Sequence, residues 1–369
     1  MPFDEYSRVS VTRFEPQDRR AEYDVTNTVC VASVEAVRRA VRDLFEETWP
    51  DASFDQVWLA FYDFDRLFRG KMPGFEGCDT VYHDIQHSLD MVLCMARLLA
   101  AHNRSVPEQL QLGPEKASVA MIVALFHDSG YLRSENGDPT YNGAEHTLWH
   151  IGRSALFLRR YLPHIGLGEH LKTAEELVHF TGYEKDLGDI ELDDPGDYLL
   201  GHMIGSADLL VQMADRCYLE KCRDRLYLEF VLAGIAISEE DEQLQVYYQS
   251  GEDLLRQTPD FYSNIASDRL NNTFGGVYHL LEHLFDGRNP YMECIERNLS
   301  YLEQVIETGE WHKLRRKPPC HTVLQDPVAV SNALVNRKLN DLRNSEQPMV
   351  LNRKHPPSGA DAADTITAD

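Results

Sequence analysis

Tyr82 to Met91 reads YHDIQHSLDM. At about 3.6 residues per turn, His83, His87 and Asp90 are expected on one narrow arc of a helix, with Ile85, Leu89, Val92 and Ala96 opposite. Two imidazoles and a carboxylate on one stripe can hold a metal ion or pass a proton. A second candidate group lies in ASVAMIVALFHDSGY, residues 117–131, where eight apolar residues run directly into His127 and Asp128. A helix apolar on every face is buried, so this pair is delivered into the interior. Adjacent helical side chains point about 100° apart, which lets both meet one ion beyond the helix end. Asp208 sits among Ile204, Ala207, Leu209, Leu210 and Val211, and a carboxylate in apolar text needs a cation. An arginine elsewhere is the alternative to a metal there. Gln212 and Asp215 extend the same stripe. His150 opens an amphipathic stretch, with His146 one turn earlier as a competitor, and His179 closes the apolar run AEELVHF. Either of these, taken singly, is more often a packed core histidine than a ligand.

The elements that must position these groups read as helices. Apolar spacing predicts helices over 33–48, closed by Trp49-Pro50, and over 54–70, opened by a Ser53/Gln56 capping box. Further helices are expected over 81–101, 115–128, 143–161, 173–183, 199–233, 239–256, 262–285 and 290–308. Alternating strand-type text is scarce, so the expected class is all-α. Residues 1–50 read as an irregular arm and a helix, 51–311 as the domain with the candidate site, and 312–369 as a basic linker and a disordered tail.

Bulk properties narrow the function classes. The 369 residues are 43% hydrophobic, enough for a sizeable core. Sixty acidic against 36 basic residues give a net charge of −24, a field that repels nucleic acid and anionic membrane. Seven cysteines without a CxxC pair suit reduced thiols. No stretch approaches the ~18 apolar residues of a membrane span, and the N-terminal residues have no signal-like apolar segment. A cytoplasmic protein is the expectation.

The ordered set His87, His127-Asp128, His150, His179 and Asp208 resembles the HD-domain superfamily of metal-dependent phosphohydrolases, across roughly residues 58–300. YHDIQHSLDM is similar to the opening motif of cyclic nucleotide phosphodiesterases. The resemblance implies an HD/phosphodiesterase-like helical bundle with the metal site between buried helices. It assigns His87, His127, Asp128 and Asp208 to one divalent ion, with Asp128 bridging to a second held by His150 and His179. Zn, Fe, Mn or Mg would suit such ligands. The reaction implied is hydrolysis of a phosphodiester or phosphomonoester in a small nucleotide-like substrate. The nucleophile would be a metal-bound hydroxide, and His83 would be the general acid. Two departures stand out: Asp84 replaces an asparagine, and Tyr131 a histidine four residues after His127. The glutamine that holds the purine in those enzymes has no clear counterpart. A di-iron oxygenase of the same superfamily and a catalytically silent nucleotide-binding HD module are the alternatives.

Overall fold

The computed structural model describes residues 19–240, 242–345 and 347–352. The first 18 residues of the expected arm and the expected tail from 353 onward lie outside the described residues. The chain is mostly helical. In order, α1 to α12 are Val34–Thr48, Asp55–Phe68, Ile85–Ser105, Pro114–Phe126, His150–His164, Leu171–Val178, Pro195–Ala214, Tyr218–Lys221, Tyr227–Leu232, Gly251–Phe261, Pro290–Thr308 and Pro327–Asn344. The strands β1 Ile237–Glu240, β2 Gln243–Val246 and β3 Met349–Leu351 form a small sheet, with β1 antiparallel and β3 parallel to β2.

The α3 helix is the axis. Residues Ile85 to Asn103 are all buried, and α3 packs on α1, α4 and α7. Ala117 to Phe126 of α4 are likewise buried on every face. Such all-round burial accounts for apolar text with little amphipathic stripe. The α7 helix crosses α3 and α4 and is covered in turn by α11. His87, His127, Asp128 and Asp208 are therefore buried between α3, α4 and α7.

Six expectations are corrected. The expected helix 143–161 is a 3-10 turn over Gly143–His146 followed by α5, and 262–285 is π-helical over Tyr262–Ala266 and Arg269–Thr273 and a 3-10 turn over Val277–His283. The helix expected from 81 begins at Ile85, because Asp84 is its N-cap: its side chain accepts the Gln86 N–H at 3.0 Å. His83 thus stands in the turn before α3, not on a helical stripe with His87. The expected helix 199–233 stops at Asp215, then resumes as α8, a π-helical turn over Cys222–Leu226, and α9. The expected helix 239–256 is instead the β1–β2 hairpin followed by α10. Ser53 takes the Asp55 N–H, but the N-cap of α2 is Phe54, without a capping box.

After Trp311 the chain runs without regular structure past its prolines, then forms α12, which packs on α9, and β3. Only Ser331 and Val335 of α12 are buried, which is why the segment carries little apolar periodicity. No described helix is long and apolar enough to cross a membrane.

Candidate metal centre

Three elements bring four side chains to one point. His87 comes from the first turn of α3, His127 and Asp128 from the end of α4, and Asp208 from the middle of α7. His87 Nε2 lies 3.1 Å from His127 Nε2, 3.1 Å from Asp208 Oδ1 and 3.5 Å from Asp128 Oδ2. His127 Nε2 lies 3.2 Å from Asp128 Oδ2 and 3.8 Å from Asp208 Oδ1. Two donors each about 2.1 Å from one ion sit about 3.0 Å apart at a right angle and at most about 4.2 Å apart. All five separations fall in that interval, so His87, His127 and Asp128 form a group that could hold a metal ion. Asp208 stands at ligand distance from both histidines.

The hydrogen bonding points the same way. His127 Nδ1–H donates to Ala124 O at 2.9 Å, which fixes the ring and turns the Nε2 lone pair toward the cluster. Asp128 Oδ2 is buried and accepts no hydrogen bond. Two carboxylates without a cation would be costly in so buried a site. The electrostatics reflect that demand. Burial works against charge on both Asp128 and His127. Even so, the surrounding imidazoles hold the Asp128 carboxyl well below its ordinary range, and Asp128 pushes His127 up. The chemistry of the donor set fits a divalent cation. Gln212 Nε2–H donates at 2.6 Å to the same Asp208 Oδ1 that faces the two histidines, and Tyr82 Oη donates to Gln212 Oε1 at 3.5 Å.

His150 approaches from the far side. Its Nδ1–H donates to Thr147 O at 2.7 Å, leaving Nε2 aimed at Asp128 Oδ1, 3.8 Å away. Burial, with some repulsion from His83, lowers His150 to about 4 although Asp128 opposes it, so the ring is neutral at pH 7. Gly130 permits this approach, since a Cβ there would meet His150 O at 1.8 Å. His146 does not compete: its Nε2 faces Asp138 at 3.1 Å and its Nδ1 accepts from Trp149. The structure does not bring His179 into the group. It is half-buried at the end of α6, its buried Nδ1 has no hydrogen-bond partner, and Glu176 and Lys185 are the charges that act on it.

His83 stands beside the cluster. Its ring centroid is 6.0 Å from that of His87, and it stacks on Tyr131 at 4.6 Å, which stacks in turn on His150 at 4.3 Å. Tyr131 therefore fills the space between His83 and His150. His83 Nδ1 lies 2.6 Å from Glu229 Oε2, while Glu229 Oε1 accepts the Tyr82 N–H at 2.6 Å. Burial lowers the His83 pKa, but Glu229 more than offsets it and pushes the ring up to about 9. Glu229, only 1% exposed, escaped the sequence reading. The signal that marked Asp208, an acid in apolar text, is equally present in LYLEFVLAG. No protein-family model matches the chain, and no curated protein is significantly similar to it.

Proposed function

We propose that the protein is a metal-dependent phosphohydrolase of the HD type, acting on a small phosphate ester, most simply a phosphodiester of nucleotide-like character. The observation that carries this reading is the His83–Glu229 pair: a histidine held by a buried carboxylate next to the group His87, His127 and Asp128, with Asp208 beside it, yet not part of that group. His87, His127, Asp128 and Asp208 would hold a divalent ion, with His150 on the outer oxygen of Asp128. Bound there, the ion supplies an activated water and neutralises the phosphoryl oxygens.

The chain's own residues supply the rest. Glu229 keeps a proton on His83 and fixes the Nδ1 edge of its ring, so that Nε2–H is free to donate to the departing oxygen. Tyr131 and Tyr82 pack the ring in place from two sides. Burial of the whole group excludes competing water and strengthens each charge interaction. A di-iron oxygenase has no need of such an acid, and the position of His179 removes one of its expected ligands. A silent module has no need of a buried carboxylate with an open lone pair.

The test is metal analysis of the purified chain, followed by hydrolysis of a panel of nucleotide mono- and diesters with metals restored. Retained divalent metal and ester hydrolysis are expected. A metal-loaded protein inert toward every ester, or bound iron with oxygen consumption on substrate addition, would overturn the proposal.

A further inference from the structure

Residues 78–84, the turn that carries His83, are fastened from three sides. Inside the turn, His83 O accepts from Thr80 Oγ1 at 2.6 Å and from Cys78 Sγ at 3.5 Å. Toward α9, Glu229 holds the Tyr82 N–H and the His83 ring. Outside lies a segment from far along the chain, residues 318–323. Val323 N–H donates to Cys78 O at 2.9 Å and Cys320 Sγ–H to Val81 O at 3.4 Å. Buried Arg225 bonds Val81 O together with Pro318 O and Pro319 O, so one guanidinium pins turn and strap to each other.

At the junction with α3 stands Asp84. Its Oδ1 accepts the Gln86 N–H at 3.0 Å, the helix cap, and its Oδ2 accepts the His321 N–H at 2.9 Å, from the strap. Ile85 N–H returns a bond to His321 O at 3.5 Å. Both partners of Asp84 are donors, and a carboxylate offers two acceptor oxygens where an asparagine offers one. The substitution of Asp for the Asn of the resembled motif thus has a physical reason: the strap's N–H would otherwise be left without a partner.

We propose that the strap 318–323 positions the general acid, gripping the His83 turn at Cys78 and at Asp84, and that Asp84 is the positioning residue that couples strap to turn. The strap is thereby part of the catalytic unit. The kinetic part of this proposal rests on the phosphohydrolase reading.

The test uses the full chain with Asp84→Asn, His321→Pro and the double variant. Amide exchange over 318–323 is measured beside metal content, and turnover is measured on an alkyl and a nitrophenyl phosphodiester. Loss of a hydrogen bond to a charged group should raise strap exchange about 10- to 100-fold. Turnover on the alkyl ester should fall about tenfold and on the nitrophenyl ester less than about twofold, with metal retained. The double variant should be no worse than the worse single variant, as expected of a directly bonded pair. Unchanged exchange, equal losses on both esters, or loss of metal would overturn the proposal. If the wild-type chain hydrolyses no ester, the functional reading fails, and the exchange data still decide whether Asp84 holds the strap.

Discussion

The two flanks of Asp128 are built differently. On one flank, His87, His127 and Asp208 project from three buried helices and meet within 3.8 Å. On the other, His150, Tyr131 and His83 come from helix ends and turns and stack as rings, with His150 alone reaching toward Asp128. Groups carried on or at the ends of long buried helices are held to within the tolerance of a coordination sphere, whereas rings borne on turns fix a face and a direction. The difference suggests that one flank holds metal and the other handles protons and the outer edge of the site.

The largest effect should come from the helical flank. Asp128→Ala and Asp208→Ala should each lose bound metal and nearly all activity, with Asp128 the more severe because both of its oxygens face histidines. Some loss of fold stability should follow, since each leaves buried imidazoles uncompensated. Metal analysis beside activity checks this, and full occupancy in both variants would dissolve the distinction between the flanks.

Next in size is the turn-borne acid. His83→Asn should lower turnover on an alkoxide leaving group by roughly 10²–10⁴-fold with metal retained. The loss should shrink sharply on a nitrophenyl ester, whose leaving group needs no proton. Glu229→Gln should show the same leaving-group dependence at smaller amplitude. Departure of metal from the His83 variant would move His83 onto the other flank.

The outer edge is tested by metal stoichiometry. His150→Ala should lower the metal content or the affinity of any second ion, whereas His179→Ala and His146→Ala should leave both unchanged. An equal fall in His179→Ala would mean that α6 moves toward the cluster when metal binds.

This comparison also explains what could be read from the sequence. His87, His127-Asp128 and Asp208 were legible because each is a polar group within or directly after a buried apolar helix, where its cost demands a partner. The mostly helical character was legible from the same periodicity. His179 carried a similar signature, yet an apolar run ending in histidine describes burial and not direction. Glu229 carried the same signal as Asp208, but its direction toward His83 is set by the π-helical turn over Cys222–Leu226 and the break at Asp215, which periodicity does not encode. The β1–β2 hairpin was missed because its strands are four residues each and its partner strand β3 lies about a hundred residues away. The role of 318–323 was invisible for a related reason: its contacts are made mostly by backbone groups, which leave no side-chain signature.

The smallest effect concerns Asp90, the third residue of the opening motif, which belongs to neither flank. It is buried one turn beyond His87, its Oδ1 has no partner, and with Tyr82, Gln86, Gln212 and Asp215 it lines a cavity of about 20 Å3, the space of one water. Burial is the main cause that raises its pKa from 3.8 to about 7. Asp24 and Asp215 add to the rise, while Arg19 and Arg97 oppose it. Because the folded value lies above the unfolded one, the native state binds the extra proton between those two values. Asp90 therefore contributes most to stability below pH 3.8, and that contribution is lost as pH rises through 7. Between pH 5.5 and 8 the loss amounts to about 2 kcal/mol. Asp90→Asn mimics the neutral carboxyl, so its urea midpoint should fall less than that of the wild type over this interval. Metal content and turnover should be unchanged at pH 6, because no ligand or acid is touched. Parallel pH profiles for variant and wild type would show that Asp90 is ionised in the fold and answered by Arg97 or Arg19. A loss of metal would instead place Asp90 on the helical flank, as a member of the cluster that begins one turn before it.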